Sequence, residues 1–582
     1  MRVLLLHPDD SLEAGPWAGS HWDLVVDLGW SGRHRYAQAS QRHSNRVLSF
    51  CDLLSPEEHL AQLRSLLRVG LGKFVDAEGL DWWELFSPFP YARLDEILML
   101  AAVRREISEG DDVLATRPHL LAQALSMLSG REIKYFRVAQ AGKISAVVQR
   151  YSRLARTFGP AQLTEIALDK WDSDFRLRRW LSRKRKSLEE ETVLLPSAYG
   201  NVSRSQAAYA RLLPGRKFLQ VVTRRNGRIE GLPGNVEVRS LASYAPLPYR
   251  SSTEKENIHL RGEWPRFEDT ILNTREEFRI ANKLGAFAGF PSFLRNGLRV
   301  RDAWLEVLEA EPVRSVLSAD ENNPYTRIPV MLAASRGIAT IFCDHGALNM
   351  SFAVRQPRSD IYLVRGEMAR DYLLRHSQLL PERVVVGAAG DADPALRSGA
   401  NRDCIVVFSE AYELFAGRVE DFYREIFPRL CSVARETGRR VVLKLHPFES
   451  LRARRCVLKK VLSAEDFQCV EIRSGPLTRE LMERVWCGIT VESSVACDCA
   501  LQGVPCFLCH WFESSWYEYG RQFAKFGAGY LLRSPEELSR IPALVKEFRS
   551  TPETRGRLTT AIGSERFEGV LSGRKAVREG SR

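Results

Sequence analysis

The sequence predicts an α/β protein built on parallel sheets. Three stretches of the 582-residue chain alternate apolar, β-branched runs of strand length with helix-like segments. The first stretch ends near residue 140, the second begins at "TVLLPSAY" and the third begins at "CIVVFSE". Continuous apolar runs that alternate with helices are typical of parallel sheets covered by helices on both faces. A chain of this length exceeds one hydrophobic core, so we expect several domains.

Five segments are expected along the chain. They are an N-terminal Rossmann-like α/β unit over 1–142, a helical basic connector over 143–192, two α/β domains over 193–396 and 397–565, and a basic tail over 566–582.

Composition and charge exclude several classes of protein. Hydrophobic residues make up 45% and charged residues 27%, as in ordinary globular proteins. Apolar runs such as "RVLLL" fall far short of the ~20 residues that span a bilayer, and the N-terminal run is too short for a secretory signal. We therefore expect a cytoplasmic protein.

The net charge of +12 is concentrated in one place, the segment "RLRRWLSRKRKS" over 176–187. One interpretation is a solvated helix face, and the other is attraction to an anionic membrane surface at the inner face of the membrane. No nucleic-acid-binding motif or basic-aromatic platform accompanies the segment, so nucleic acid is not an expected partner.

One cysteine cluster, "CDCALQGVPCFLCH" at 497–510, has the residues of a zinc or haem-attachment site. The same letters also read as a helix, a turn and a buried strand. We expect these cysteines to be packing residues in a reducing compartment, with no metal and no cofactor.

The opening letters "LHPDD" resemble the zinc-binding start of sugar deacetylases, which begin "AHPDDE". Here Ser11 follows Asp10, and the eleven histidines contain no pair at i, i+3 to complete the metal site. A first strand that ends in a polar capping loop is the better interpretation, with Asp9, Asp10 and Ser11 suited to capping, and zinc deacetylation is a remote alternative.

Polar residues follow three strand-like runs of the third stretch. These residues are Ser409 and Glu410, then Lys444, His446 and Pro447, and finally Glu492, Ser493 and Ser494. In open parallel sheets, ligands bind beyond the carboxyl ends of the strands. Serines at a helix start offer hydroxyl and backbone N–H donors, and the helix dipole there favours an anion. We expect these eight residues to bind the phosphates of a ligand, although a serine pair also serves as a plain helix cap.

The second stretch carries candidate acid–base groups in the same position. Asp344, His345 and Gly346 directly follow the strand-like run "ATIFC", and Asp320 and Glu321 follow the run before it. An imidazole or carboxylate beyond a buried strand suits proton transfer, and Gly346 permits a close approach of the acceptor. A simple turn with a satisfied histidine is the alternative.

The order of these motifs resembles a known family. "HG" after one strand, "KLHP" after another, and "ESS" before a helix that leads to "ALQGVPC" are similar to the GT-B glycosyltransferases of bacterial surface carbohydrate synthesis. The resemblance is greatest to the capsule polysaccharide and CDP-glycerol glycerophosphotransferase-like branch, over about residues 195–560. It implies two Rossmann-like domains, with the nucleotide-linked donor bound to the C-terminal one.

The resemblance also implies roles for individual residues. His446 and Pro447 would lie at the donor phosphates with Ser493 and Ser494 nearby, and His345 would lie at the transfer site. Two departures from the family pattern matter. Glu492 stands where relatives often have Asp or a small residue, and no lysine follows the "HG" as it does in teichoic-acid enzymes, which disfavours glycerol-phosphate transfer.

We therefore expect a metal-independent glycosyltransferase that moves a sugar from a nucleotide-linked donor to a surface polysaccharide or lipid-linked glycan acceptor. In it, His345 is the expected general base, Asp344 the group that orients it or replaces it, and Asp320 and Glu321 the reserve bases. A glycerophosphotransferase-like or a nucleotide-sugar-binding, epimerase-like protein of the same architecture is the alternative.

The basic segment yields the first testable prediction. Each Lys or Arg near an anionic bilayer contributes ~1 kcal/mol, so this cluster should hold the protein on phosphatidylserine vesicles at low salt. Co-sedimentation should fall with added salt and with Gln substitutions at 183–186, and neutral phosphatidylcholine vesicles are the control. Binding that responds to neither change would contradict the prediction.

Overall fold

The computed structural model describes most of the chain in two compact units. The described residues are 1–7, 10, 12, 15–28, 43–48, 52, 54–87, 91–136, 179, 187–224, 227–246, 250–349, 352–390, 402–410, 419–447, 449–512 and 519–573. The first unit comprises residues 1–59, 96–164 and 393–555, and the second comprises 60–95, 165–392 and 556–582.

The first sheet lies in the first unit and contains five parallel strands in the order β3-β2-β1-β4-β5. Its strands are β1 (Arg2–Leu6), β2 (Leu24–Asp27), β3 (Val47–Leu48), β4 (Asp112–Ala115) and β5 (Lys134–Tyr135). The central strand is buried from Val3 to Leu6, because a parallel sheet is covered on both faces. Its core includes Trp17 and Trp22.

Within the described residues, the N-terminal part of the chain forms four α-helices. They are α1 (Pro56–Arg68), α2 (Trp82–Phe86), α3 (Tyr91–Glu106) and α4 (Leu120–Ser129).

The second sheet lies in the second unit and contains seven parallel strands in the order β12-β11-β10-β9-β6-β7-β8. Its strands are β6 (Thr192–Ser197), β7 (Lys217–Val222), β8 (Val236–Ser240), β9 (Val313–Ser318), β10 (Ala339–Cys343), β11 (Ile361–Val364) and β12 (Val384–Val386). The helices between these strands are α5 (Gly200–Arg211), α6 (Ser251–Leu272), α7 (Glu276–Lys283), α8 (Phe290–Ala310), α9 (Pro324–Ser335), α10 (Phe352–Arg355) and α11 (Glu367–His376).

The third sheet lies in the first unit and contains six parallel strands in the order β15-β14-β13-β16-β17-β18. Its strands are β13 (Cys404–Phe408), β14 (Arg440–Lys444), β15 (Val470–Arg473), β16 (Val485–Thr490), β17 (Cys506–Cys509) and β18 (Tyr530–Leu532). The α-helices described after β13 are α12 (Val419–Thr437), α13 (Leu451–Val461), α14 (Ala464–Cys469), α15 (Arg479–Arg484), α16 (Val495–Leu501), α17 (Tyr519–Lys525), α18 (Ile541–Glu547), α19 (Pro552–Leu558) and α20 (Ser564–Leu571).

Apolar residues at helical spacing hold α12 against the third sheet. Phe422, Ile426, Leu430 and Val433 recur every three or four residues and all belong to the core of that sheet.

These sheets confirm the predicted α/β class, with a pair of Rossmann-like domains and an additional N-terminal α/β unit. The predicted basic connector over 143–192 lies outside the described residues except for Arg179 and 187–192. Among the described residues, no helix is long and apolar enough to cross a membrane.

Part of the predicted N-terminal unit, residues 60–95, groups with the second sheet. Buried ion pairs explain this: Glu84 Oε1 lies 2.7 Å from Arg327 Nη2, and Asp76 Oδ2 lies 2.8 Å from Arg301 Nη1. Breaking either pair would leave a buried charge without its partner, so these contacts hold α2 and the preceding loop on the second unit.

The C-terminal segment also belongs to the second unit. Helix α20 begins at Ser564 and extends into the stretch predicted to be a tail, because Phe567, Val570 and Leu571 are buried in the core of the second sheet. Backbone hydrogen bonds between Ala388 and the segment at Thr560 to Ile562 continue this contact.

A close backbone approach gives the second prediction. Gly366, the residue before α11, would place an added Cβ 2.4 Å from the carbonyl oxygen of Leu558. Because backbone must move to admit a methyl group, Gly366→Ala should lower the free energy of unfolding by ~1–3 kcal/mol. The matched control is Gly563→Ala, at the residue before α20, where an added Cβ meets nothing within 4 Å. Equal melting temperatures for the two variants would contradict the close approach of Gly366 to Leu558.

Candidate functional site

In the second and third sheets, as in the first, the strand order reverses beside the first strand. In the second sheet, β7 and β8 extend from one side of β6 and β9 to β12 extend from the other side. In the third sheet, β14 and β15 lie on one side of β13 and β16 to β18 on the other. A crevice opens beyond the carboxyl ends of the strands at such a reversal, and ligands of open parallel sheets bind there.

His345 lies two residues beyond β10, beside the reversal of the second sheet. Its Nδ1 makes a short hydrogen bond with the carbonyl oxygen of Ala319, which follows the neighbouring β9. A carbonyl oxygen only accepts, so Nδ1 carries the proton and the neutral ring has its lone pair on Nε2. The backbone therefore fixes the tautomer that accepts a proton at Nε2.

In the described part of the chain, Asp320 is one of two buried carboxyl groups whose pKa the charge of His345 lowers against the effect of burial, and the other is Asp344. It is 4% exposed, and its Oδ1 accepts a hydrogen bond of 2.9 Å from the backbone N–H of Asn322. Burial raises the pKa of Asp320, and the charges of His345 and Arg224 oppose the rise. An acid beside the imidazole would stabilise the cation that forms when His345 takes a proton.

The carboxyl group of Asp344 is bound by the backbone at the end of the neighbouring strand, β11. The backbone N–H of Arg365, directly after β11, donates to its Oδ2 at 3.3 Å. Burial raises the pKa of Asp344, and the charge of Arg365 opposes the rise. Gly346, which follows His345, is half-buried.

Glu321 lies in a separate buried network. It accepts hydrogen bonds from the hydroxyl groups of Ser359 and Tyr362, and its Oε2 lies 3.6 Å from Arg327 Nη1. Burial raises the pKa of Glu321 against the charge of Arg327. Asp320 and Glu321 are adjacent in sequence, yet the charge of His345 acts on the pKa of Asp320, whereas Arg327, Ser359 and Tyr362 act on that of Glu321.

Sequence reasoning missed Arg224, which follows β7. Its guanidinium lies over the rings of Tyr199 and Tyr325, at 5.4 and 5.6 Å, and its Nη1 donates to Tyr199 Oη at 2.8 Å. Tyr199 follows β6, and Tyr325 lies on the first turn of α9. The strand-end rule applied to "LLPSAY" and "QVVTR" would have found Tyr199 and Arg224.

In the third sheet, Glu410 takes the backbone donors that the sequence suggested for a phosphate. Its Oε1 accepts from Thr490 Oγ1 at 2.8 Å, from Val491 N at 3.1 Å and from Glu492 N at 2.9 Å. Burial raises the pKa of Glu410, and these hydrogen bonds oppose the rise. The carboxylate thus ties the end of β13 to the loop after β16.

Lys444, the last residue of β14, turns toward backbone carbonyls. Its Nζ donates to Leu445 O at 2.8 Å and to Gly475 O at 2.6 Å, and burial lowers its pKa. This ammonium group orders the loop after β15.

Glu449 positions the backbone of His446, and sequence reasoning did not single it out. Its Oε2 accepts from His446 N at 2.7 Å, and its Oε1 accepts from Ser409 Oγ at 2.8 Å. Arg454 Nη2 lies 2.6 Å from Oε1 in a fully buried ion pair. The spacing "HPFES…R" carries a weak signal, since an acid before α13 and an Arg on its first turn can meet.

The serine pair lies at the start of α16, a helix of seven residues. Ser493 Oγ accepts from Val495 N at 3.4 Å, and Ser493 and Ser494 are both half-buried. Glu492 is buried and Pro447 is exposed. The role of these residues at a donor phosphate stays a prediction.

The cysteine cluster is buried, as packing residues are. Cys497, Cys499, Cys506 and Cys509 are free thiols, and burial raises the pKa of Cys509 well above its usual range. In the described part of the chain, no group of three or more His, Cys, Asp and Glu side chains is placed to hold a metal ion.

No protein-family model matches this sequence, and no curated protein matches it either. Many solved structures are similar in fold, and three of them serve as examples. The UDP-GlcNAc 2-epimerase of Methanocaldococcus jannaschii is 13% identical with a TM-score of 0.42, and the similarity covers 66% of this chain and 99% of that one.

The structure of S. aureus MnaA with UDP is 12% identical with a TM-score of 0.41, over 65% of this chain and 95% of that one. The calicheamicin glycosyltransferase CalG4 is 12% identical with a TM-score of 0.37, over 67% of this chain and 96% of that one. Identities of this size with TM-scores below 0.5 do not assign an activity to this chain.

The environment of His446 gives the third prediction. Burial and the charge of Lys444 lower its pKa to about 4. The folded state therefore holds a neutral ring, whereas the unfolded chain binds a proton near pH ~6.5. Between pH ~6.5 and pH ~4, only the unfolded chain takes up the proton. The free energy of unfolding is therefore highest above pH ~6.5 and falls by ~3 kcal/mol in all as the pH drops toward 4.

Ring carbon NMR signals of His446, assigned with His446→Gln, should report a neutral ring at pH 5.5. The melting temperature of that variant should also fall less than that of the unmodified protein between pH 7 and pH 5. A His446 ring that titrates near its ordinary value would show that the group is not shielded from water.

Proposed function

We propose that the chain is a metal-independent glycosyltransferase, which moves a sugar from a nucleotide-linked donor to a surface polysaccharide or lipid-linked glycan acceptor. The observation that carries the proposal is His345, whose Nδ1 is held by Ala319 O and whose Nε2 is left as the proton acceptor. This ring lies beside the buried Asp320 at the carboxyl edge of the second sheet.

In this proposal, Nε2 of His345 takes the proton from the acceptor hydroxyl, while the oxygen of that hydroxyl bonds to the anomeric carbon of the sugar. The bond from that carbon to the nucleotide diphosphate breaks, and the electron pair leaves with the diphosphate. Asp320 stabilises the imidazolium electrostatically, which lowers the barrier because the charge forms only in the transition state. Arg224 and its two tyrosine rings are the proposed contacts for the acceptor.

The leaving diphosphate is assigned to the third sheet, at His446, Ser493 and Ser494. Neutral His446 donates one hydrogen bond, and the serine hydroxyls and the start of α16 donate others. Glu410 and Glu449 act through the loops that carry these donors, since each binds a backbone N–H of its loop. Lys444 holds the loop after β15 in place through its hydrogen bond to Gly475 O.

A nucleotide-sugar epimerase is the second candidate, because the charge of one imidazole, that of His345, acts on the pKa of two buried carboxyl groups. Burial raises the pKa of both Asp320 and Asp344, so either could return a proton that the ring removes.

One experiment separates these functions. The protein is incubated with a panel of nucleotide sugars, with and without a chelator, and the products are analysed by NMR. Slow release of nucleoside diphosphate and free sugar without metal supports the transferase, and an epimerised nucleotide sugar supports the alternative. Chelator-sensitive acetate release would indicate the deacetylase, and no turnover of any sugar would overturn the proposed enzyme.

The fourth prediction concerns His345 alone. His345→Asn should keep donor affinity and lose ~10²–10⁴ in transfer rate, the usual contribution of a positioned base. His259→Asn, at an exposed histidine of α6 in the same unit, is the matched control and should leave both quantities unchanged. Lost donor affinity with normal remaining turnover would make His345 a phosphate ligand and place the base among the carboxylates.

A further inference from the structure

The amino-terminal edge of the third sheet carries four arginines that the proposed function does not use. We call them the amino-edge arginine cluster: Arg402 comes two residues before β13, Arg439 and Arg440 lie at the start of β14, and Arg484 directly precedes β16. Strands β14 and β16 both pair with β13, so their starts lie side by side. The donor residues of the proposed function follow strands at the opposite edge. A strand of five residues, about 15 Å long, lies between the two edges.

One carboxylate serves two of the four guanidinium groups. Asp403 accepts from Nε and Nη2 of Arg484 at 2.9 and 2.7 Å, and Nε of Arg440 lies 3.9 Å from Asp403 Oδ2. The hydrogen bonds from Arg484 lower the pKa of Asp403 to about 2, so this carboxylate is charged at neutral pH. The side chain of Arg440 is 69% exposed, and its guanidinium makes no hydrogen bond within the described part of the chain.

The other two guanidinium groups have backbone carbonyls as partners. Arg402 donates to Gly503 O at 2.8 Å and to Gln502 O at 2.9 Å, and burial lowers its pKa. Arg439 donates from Nη1 to the carbonyl oxygen of Arg402, and its guanidinium lies 5.0 Å from the centre of the Trp486 ring. The buried Nε of Arg439 has no hydrogen-bond partner among the described residues. Neither cation is therefore paired with a carboxylate.

The charges of this edge do not balance. Four guanidinium groups share one carboxylate, and Glu471, an acid whose charge reaches Arg484, is already paired with Arg473. The carbonyl ends of α12 and α16 lie beside Arg439 and Arg402 and supply about half a negative charge each. About two positive charges remain close together, where like charges repel. A bound anion would relieve this repulsion.

The size of the imbalance indicates the class of anion. A phosphate group carries about 1.5 to 2 negative charges at neutral pH, which matches the remaining positive charge, whereas a carboxylate carries one. The planar guanidinium group also binds phosphate oxygens through parallel N–H donors. Both the charge and the donor geometry therefore favour phosphate.

The surroundings of the cluster favour a soluble ligand over a membrane surface. Proteins that lie on a bilayer add exposed apolar side chains to their basic residues. Among the described residues of 402–555, the exposed large apolar side chains are Leu451 and Leu477, and these follow β14 and β15 at the opposite edge. Trp486 is half-buried beside Arg439. The amino-terminal edge thus offers charge without an apolar anchor.

We propose that the amino-edge arginine cluster binds the phosphate group of a soluble ligand. The exposed Arg440 supplies N–H donors, and Arg402 and Arg439 supply positive charge that no carboxylate cancels. The proposal does not depend on the proposed function, because it rests on the opposite edge of the sheet and on residues that the transfer mechanism does not use.

The test is an NMR titration of the full chain, labelled with 15N in its tryptophan indoles, at pH 7.5 and constant ionic strength. Inorganic phosphate is the probe, and sodium acetate is the comparison. Trp486, beside Arg439, reports the amino-terminal edge. Trp511 follows β17, donates to Glu425 at 2.8 Å and reports the opposite edge. With phosphate, the Trp486 signal, assigned with Trp486→Phe, should shift and saturate while the Trp511 signal, assigned with Trp511→Phe, stays in place.

Arg440→Gln should raise the phosphate concentration that half-saturates the Trp486 signal about tenfold, as for the loss of one hydrogen bond to a charged group. The fold should tolerate this change, since the side chain is exposed, and an unchanged melting temperature checks it. Arg424→Gln is the matched control, because it removes the same charge from a surface pair with Asp421 on α12. It should leave the phosphate affinity unchanged.

Three results would overturn the proposal: no saturable shift of Trp486 with phosphate, the same half-saturation in Arg440→Gln, or saturation by acetate at the same concentrations. Co-sedimentation with phosphatidylglycerol vesicles that falls with Arg440→Gln, without any effect of phosphate on Trp486, would assign the cluster to a lipid surface instead. The titration of the unmodified protein decides the first and third of these results even where a variant does not fold.

Discussion

Reversal of strand order is the constraint on which the chemistry of this molecule depends. Each of the three sheets grows first to one side of its earliest strand and then to the other. Connections leave such a point in opposite directions, so the carboxyl ends of two neighbouring strands are left without a covering crossover. Backbone and side-chain polar groups there need partners, because unpaired polar groups in a protein interior are costly.

At every one of these reversals, the chain supplies a carboxylate of its own. Asp10 binds Arg117 in the first sheet, the charges of His345 and Arg224 act on Asp320 in the second, and Glu410 accepts from the amides after β16 in the third. The partners differ and so do the consequences. A carboxylate beside an imidazole tunes proton transfer, whereas a carboxylate on backbone amides makes a loop rigid.

The strand-end rule predicted which residues follow the strands, because strands of a parallel sheet read as continuous apolar runs. His345, Asp320 and Asp344 follow strands of the second sheet in this way, and the loops of His446 and Ser493 follow strands of the third, while the roles of these residues at a ligand stay predictions. The direction of each side chain could not be predicted. Lys444 and Glu410 follow strands like any ligand-binding residue, but their partners are backbone groups brought near by other strands, and no local pattern encodes that contact.

Long-range packing could not be predicted from the sequence either. Residues 60–95 join the second unit through charges such as Glu84, which is buried against an Arg 243 residues away. Helix α20 looked like the start of a tail because its apolar residues are few, and only the core of the second sheet explains their burial. Glu449 was missed for the same reason: its importance lies in a fully buried pair with Arg454, and sequence shows both simply as charged residues.

The central claim is that the backbone fixes the tautomer of His345 in which Nδ1 carries the proton and Nε2 accepts one, and the ring nitrogens of that residue report it directly. A 15N-labelled histidine spectrum at pH 7.5, with His345 assigned through His345→Asn, distinguishes a protonated from an unprotonated nitrogen. The account predicts a proton on Nδ1, held by Ala319 O, and none on Nε2. A proton on Nε2 with a bare Nδ1 would contradict it, since that tautomer has no base to offer the acceptor.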